Sequence, residues 1–114
     1  MVSPVPLFIL GLSNPGVFMY GLIGKFKAVP GKRDDLIALM LGETPEMLGC
    51  LSYVVARDPK DPDGVWITEV WDSALNHKAS LQIPEVKAVI AKAMPLIAGF
   101  ESQQETDPVG GVGL

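Results

Sequence analysis

The chain has 114 residues, of which 48% are hydrophobic and only 19% are charged, a composition typical of one compact globular domain and not of a disordered segment. Its formal net charge is −4 and its pI is about 4.8. Nucleic acids and anionic membranes attract basic surfaces, so we expect neither as a partner. The single cysteine, Cys50, excludes an intrachain disulfide and a cysteine-based zinc site, and such sparse cysteine use fits a reducing cytoplasm.

Residues 1–18 differ in character from the rest of the chain. Pro4, Pro6 and the turn sequence "SNPG" suit an extended arm. No lysine or arginine precedes Lys25, and the apolar run over residues 7–10 is too short to cross a bilayer. We therefore expect neither a secretion signal nor a membrane segment, and we expect a cytoplasmic protein whose domain begins at residue 19.

The first half of the domain predicts a strand, a helix and a hairpin. Residues 19–29 alternate as a strand does, and "PGK" then turns the chain. A helix with one apolar stripe is expected over about 33–47. Residues 49–58 and 65–71 are rich in β-branched and aromatic side chains and flank the polar turn "DPKDPDG", so they predict a β-hairpin.

The second half predicts two more helices and a last strand. Asp72 or Ser73 is suited to cap a short helix that ends near residue 80. Pro84 is suited to a first helical position, and the pattern predicts a helix over 84–99 that Pro95 loosens in its last turn. Residues 100–106 predict a more polar strand.

Taken in order, residues 19–106 predict a β-α-β-β-α-β domain followed by a tail over 107–114. This order defines an α+β, ferredoxin-like sandwich, in which one antiparallel sheet carries both main helices on one face. The other face of the sheet is then left without a helical cover.

Both faces of the predicted sheet carry apolar side chains. In the predicted strand 65–71, Trp66 and Val70 point to one face, and Val65, Ile67 and Trp71 point to the other. In the predicted strand 49–58, Leu51, Tyr53 and Val55 lie opposite Cys50 and Val54. The uncovered face would therefore expose a larger apolar patch than soluble monomers usually carry. We expect a second copy of the chain to cover it, giving a two-fold homodimer through the sheet faces. The alternative is that residues 1–18 fold over the same face.

Residues 19 to about 100 resemble the antibiotic biosynthesis monooxygenase family. The matching pieces, in chain order, are "PGK", "GCLSY", "RDP", "EVWD", "ALNHKAS" and "PEVKAVIAKAMPLIAG". Each is unspecific alone, but together they follow nearly the family spacing. The family comprises small dimeric α+β barrel proteins that include cofactor-independent quinol and anthrone oxygenases. The segment between Gly31 and Gly49 is shorter than the family pattern, so we expect the first helix to lack a turn or more.

The resemblance implies oxidation by dioxygen without a metal, a flavin or another cofactor. Its substrate would be a quinol, an anthrone or a similar dihydroxyaromatic, which can give an electron to dioxygen once it is deprotonated. The protein then has to supply a dry aromatic-lined cavity, a base, and a donor for the developing anion. Small aromatic substrate and dioxygen are thus the expected partners.

His77, the only histidine, matches the histidine of the family in this segment. An imidazole that is neutral at pH 7 can accept a proton, so the resemblance implies His77 as the catalytic base and Trp71 as an aromatic wall and indole N–H donor. Glu69, Tyr53 and Asn76 are the candidate substrate-binding residues. Structural interpretations remain open for three of them: His77 as a partner for a carbonyl or a residue of a subunit contact, Trp71 as a core or interface residue, and Glu69 as a partner for a lysine or for the second subunit.

Two functions from different classes follow from the sequence. The first is the cofactor-independent oxygenase, and the second is a non-catalytic dimeric binding protein for a small apolar or aromatic ligand. One imidazole per chain cannot build a histidine metal site. Helix 84–99 also lacks the histidine with which the related haem-degrading enzymes ligate iron.

Overall fold

The structure, a computed structural model, describes residues 18–42 and 45–114. Its strands are β1 (Tyr20–Ala28), β2 (Cys50–Arg57), β3 (Gly64–Trp71) and β4 (Ile97–Thr106), and its helices are α1 (Arg33–Leu41), α2 (Ala74–Ser80) and α3 (Pro84–Ala93). The strands form one antiparallel sheet in the order β2-β3-β1-β4. The predicted α+β, ferredoxin-like fold is therefore confirmed.

The structure describes the C-terminal tail but only the last residue of the predicted N-terminal arm. The predicted arm over 1–18 lies outside the described residues except for Phe18, whose side chain is exposed. The segment 107–114 continues from β4 without a helix or strand.

Both main helices are shorter than the sequence pattern predicts. Helix α1 ends at Leu41, because Gly42 leaves the helix in an extended conformation, so the predicted helix to residue 47 is wrong. Helix α3 ends at Ala93 and passes through a single 3₁₀ turn that contains Pro95. Proline has no N–H to continue an α-helix, and Ile97 already pairs with Ala28 of β1. The last strand therefore begins at Ile97 and not at residue 100.

The hydrophobic core lies between one face of the sheet and helices α1 and α3. Its buried members are Ala28, Leu36, Met40, Val65, Ile67 and Ala93. Because α1 and α3 both pack against this one cluster, they cover the same face of the sheet, as predicted.

A bulge at the start of β2 changes the predicted strand faces. Cys50 pairs with Trp71 and Ser52 with Val70, so Leu51 is the extra residue. Cys50 therefore lies on the helix-covered face with Tyr53, whereas simple alternation assigned it to the opposite face. Burial and then the charge of Glu69 raise the pKa of the Cys50 thiol, which keeps it protonated and unreactive.

The uncovered face is more polar at one end than the sequence pattern indicated. The Lys25 ammonium nitrogen lies 3.0 Å from Asp58 Oδ2, 3.5 Å from Asp61 Oδ2 and 3.4 Å from Glu101 Oε2. The Trp66 indole N–H donates to Asp58 at 3.2 Å, and its ring lies 5.7 Å from the Lys25 ammonium. We call these five residues the ion cluster. The remaining apolar surface of this face, around Ile23, Val54 and Val70, is correspondingly smaller.

Truncating Leu36 tests the core. Its side chain is 0% exposed, whereas Leu41 at the end of the same helix is 58% exposed. Leu36→Ala leaves a cavity in the core, so we expect it to lower the free energy of unfolding by about 2–5 kcal/mol. Urea denaturation measures the change. Leu41→Ala is the matched control and should change it by less than about 0.5 kcal/mol, and equal effects would contradict this placement of α1.

Candidate functional site

A cavity of about 280 Å³ opens between the helix-covered face of the sheet and helices α2 and α3. Its lining residues are Phe26, Met40, Pro45, Met47, Tyr53, Ile67, Glu69, Trp71, His77, Ser80, Leu81, Val86, Val89, Ile90, Ala93, Met94, Ile97 and Phe100. Apolar side chains thus form most of the wall, and the polar side chains are few. Such a lining is typical of a small-molecule site.

Trp71 and Glu69 form a hydrogen-bonded pair at the end of β3. They lie two residues apart and so share one face of the sheet. The Trp71 indole N–H donates to Glu69 Oε1 at 2.9 Å, and the Trp71 side chain is 1% exposed. Trp71 is therefore a wall of the cavity, but its N–H is already engaged and does not point to a ligand.

His77 lies on α2 between two aromatic rings. Ser73 caps this helix by accepting a hydrogen bond from the Asn76 N–H at 3.1 Å, as one of the two predicted caps. The His77 ring centre lies 5.3 Å from that of Trp71, edge to face, and 5.3 Å from that of Tyr20. Among the hydrogen bonds between described side chains, none involves the His77 ring. The His77 ring therefore lines the cavity without a carbonyl partner among the described residues.

Tyr53 faces Glu69 across the pair of strands β2 and β3 and lines the same cavity. Burial first, and the charge of Glu69 second, raise its pKa to about 12. Its hydroxyl group consequently stays protonated at neutral pH and can donate a hydrogen bond to an oxygen atom in the cavity.

Asn76 is the one candidate that does not line the cavity. Its side-chain amide donates to Asp72 Oδ1 at 2.8 Å. A side chain at residue 49 would collide with both Asp72 and Asn76, so Gly49, at φ +86°, allows the loop to pass close to α2. Asn76 therefore holds the side chain of Asp72, whose backbone N–H donates to the Gly49 carbonyl at 2.8 Å, while His77, Trp71, Glu69 and Tyr53 line the cavity together.

Tyr20 is a neighbour of the site that the sequence analysis did not select. Its ring packs on His77, and its hydroxyl group donates to Glu105 Oε2 at 2.6 Å. That hydrogen bond, with smaller effects of burial and of the charges of Glu105 and Glu69, raises its pKa to about 12. No sequence pattern indicated that α2 packs against the start of β1.

The comparisons with known proteins agree with this fold. Residues 19–92 match the family model described as antibiotic biosynthesis monooxygenase, and the chain belongs to that family. A provisionally assigned antibiotic biosynthesis monooxygenase from Chloroflexus aurantiacus J-10-fl is 61% identical over 82% of this chain and 95% of its own, with a TM-score of 0.79. The family supports a general monooxygenase-like function.

More distant solved structures share the fold alone. A provisionally assigned antibiotic biosynthesis monooxygenase from Caulobacter crescentus CB15 is 22% identical, with a TM-score of 0.71 over 82% of this chain and 92% of its own. A conserved protein from Methanosarcina mazei Go1 is 15% identical, with a TM-score of 0.65 over 80% and 91%. No curated protein matches the chain.

Residues 18–42 and 45–114 contain no helix with the length and apolar character needed to cross a membrane. Nor do these residues contain a group of three or more histidine, cysteine, aspartate or glutamate side chains placed to hold a metal ion.

The two tyrosines give a test of the site's electrostatics. The chain contains only Tyr20 and Tyr53, so tyrosinate absorbance reports on these residues alone. Because the pKa of each is raised to about 12, we expect the folded protein to show little ionisation near pH 10. The protonated tyrosines stabilise the folded state below pH 10, and this stabilisation is lost as the pH rises from about 10 to 12.

The control is Tyr53→Phe, which leaves Tyr20 as the only titrating phenol. It should halve the absorbance change while its midpoint stays near that of Tyr20, with circular dichroism used to check that the fold persists. If half of the wild-type absorbance change is complete near pH 10 and is lost in Tyr53→Phe, the position of Tyr53 in the cavity beside Glu69 is contradicted.

Proposed function

We propose that the chain is a cofactor-independent monooxygenase that oxidises a quinol, an anthrone or a similar dihydroxyaromatic with dioxygen. One observation carries the proposal: the His77 ring lies between two aromatic rings and lines a largely apolar cavity. Glu69 and Tyr53 line the same cavity. A flat aromatic substrate suits these apolar walls, which limit the contact of a reactive anion with water.

His77 takes the role of the base. For an anthrone, it accepts a proton from the methylene carbon, and the resulting anion transfers one electron to dioxygen. The radical pair combines to form a C–O bond, and the proton returned by His77 completes a hydroperoxide. His77 then accepts the second methylene proton, the O–O bond breaks, and the departing hydroxide takes that proton and leaves as water.

The atoms and electrons of this reaction balance without a further reductant. The substrate loses four electrons as its methylene group becomes a carbonyl group, and dioxygen gains the same four. One oxygen atom enters the product and the other leaves in water. The protein therefore needs to supply only acid–base groups and an environment suited to the anion.

Tyr53 and Glu69 take complementary electrostatic roles. The Tyr53 hydroxyl group, protonated up to about pH 12, donates a hydrogen bond to the developing oxyanion. The Glu69 carboxylate lies in the same cavity and favours the positive imidazolium that forms when His77 accepts a proton.

Oxygen uptake tests the proposal. A panel of naphthoquinols and anthrones is assayed with the wild-type protein and corrected for autoxidation. We expect His77→Ala to lower kcat by about 10²–10⁴-fold, since it removes the base. Trp71→Phe should mainly raise KM, because it shortens one wall and frees Glu69 from its indole partner.

Lys78→Ala is the matched control, because Lys78 is exposed on the same helix as His77 and does not line the cavity. It should leave the rate unchanged. An unaltered protein-dependent rate in both site variants would place the chemistry elsewhere. Tight aromatic binding with no protein-dependent uptake for any substrate would instead support the non-catalytic binding protein.

We also propose that the chain forms a two-fold homodimer through the uncovered sheet face. Ile23 and Val54 on this face are 37% and 53% exposed, and Val70 lies beside them. A second copy would remove this apolar surface from water, and the neighbouring ion cluster would form a polar rim.

Sedimentation velocity tests the dimer. At micromolar protein we expect a mass near twice the 12.2 kDa of one chain. Val54→Lys places a charge in the proposed contact and should shift the protein toward monomer. Leu75→Lys alters a side chain that is 75% exposed on α2 and should leave the mass unchanged. A wild-type mass of one chain would refute the proposal.

A further inference from the structure

We infer that the cavity selects neutral hydroxyaromatic ligands over anionic ones, and that Glu69 sets this selection by accepting a hydrogen bond from a ligand hydroxyl group. The inference rests on the proposed function, which supplies the kind of ligand, a hydroxyaromatic compound. The new part is that the cavity binds the neutral members of that class in preference to the anionic ones. Glu69 thereby acts as a specificity-determining residue, whatever the rate of the oxidation.

The position of Glu69 is the first support. It lies on the central strand β3, between Leu22 of β1 and Tyr53 of β2. Glu69 is half-buried, and each oxygen of a carboxylate can accept more than one hydrogen bond. The hydrogen bonds between described residues give Glu69 one donor, the Trp71 indole N–H at 2.9 Å. A ligand hydroxyl group is a further donor that fits the remaining lone pairs of Glu69.

The distribution of basic side chains is the second support. All nine lysines and arginines lie within the described residues, and none of them lines the cavity. Lys25 and Lys27 lie on the opposite face, bound to acidic side chains, and Arg57 pairs with Asp34 at 3.1 Å. An anionic ligand would therefore meet the Glu69 carboxylate among apolar walls, without a lysine or arginine as counter-ion.

The behaviour of Tyr53 is the third support. Burial first, and the charge of Glu69 second, raise the pKa of this phenol, and both oppose a second negative charge in the cavity. A carboxylate or sulfonate on a ligand would meet the same repulsion, whereas a neutral phenol would not.

Binding of three naphthalene derivatives tests the inference without turnover. The uncharged 2-naphthol, the anionic 2-naphthoate and the cationic 2-naphthylmethylamine are titrated into the full-length protein by calorimetry at pH 8, under nitrogen. We expect 2-naphthol to bind at least about tenfold more tightly than 2-naphthoate, since like charges at close range cost several kcal/mol. We also expect the cation to bind more tightly than the anion.

Glu69→Gln keeps the size of the side chain and removes its charge. In this variant we expect the preference for 2-naphthol over 2-naphthoate to fall to within about threefold, and the order of cation and anion to disappear. Glu85→Gln is the matched control, because it makes the same charge change on an exposed residue of α3 and should preserve both preferences. Circular dichroism establishes that each variant is folded.

The outcomes separate this inference from the proposed oxidation. Wild-type protein that binds 2-naphthoate as tightly as 2-naphthol, or that binds neither, overturns the inference without any variant. A preference that survives Glu69→Gln also overturns it, because simple desolvation of the anion would then be the cause. Selective binding without oxygen uptake on quinols would retain the inference and refute the oxygenase, and uptake without selectivity would do the reverse.

Discussion

The burial of Trp71 at the end of β3 is the contact on which the rest of the site depends. Its backbone pairs with Tyr20 on one side and Cys50 on the other, so its indole closes one end of the space beneath the sheet. The same ring packs edge to face on His77 and donates its N–H to Glu69. A large aromatic side chain with one polar atom can thus fill the core and orient a carboxylate at the same time.

The two faces of the sheet use charge in opposite ways. On the uncovered face, Lys25 and the three carboxylates of the ion cluster attract one another at the surface, where such pairs contribute little to stability but keep the surface polar. On the covered face, Glu69 lies among apolar walls with no lysine or arginine in the lining. Because no lysine or arginine lines the cavity to offset it, the Glu69 charge acts on Tyr53 and, by our inference, on ligands.

The division of labour in the proposed reaction follows from this electrostatic arrangement. A carboxylate in the cavity opposes a second anion but favours an adjacent cation. Proton transfer from a neutral substrate to His77 creates both charges together, so the cost of the substrate anion is offset by the imidazolium beside it. A ligand that arrives already charged lacks this compensation. The presence of both His77 and Glu69 therefore fits a substrate that enters the cavity neutral and loses its proton only there.

Sequence periodicity determined the order of strands and helices and the two opposing sets of side chains on β3, and it limited the cap of α2 to Asp72 or Ser73, because these depend on neighbours within a few residues. It also selected His77, Trp71, Glu69 and Tyr53 through chemistry and family resemblance. Only the tertiary structure decided that Asn76 turns toward Gly49, that Tyr20 packs on His77, and that the Trp71 N–H is taken by Glu69. The bulge at Leu51 and the early start of β4 were likewise hidden, because strand register depends on partners that are distant in the chain.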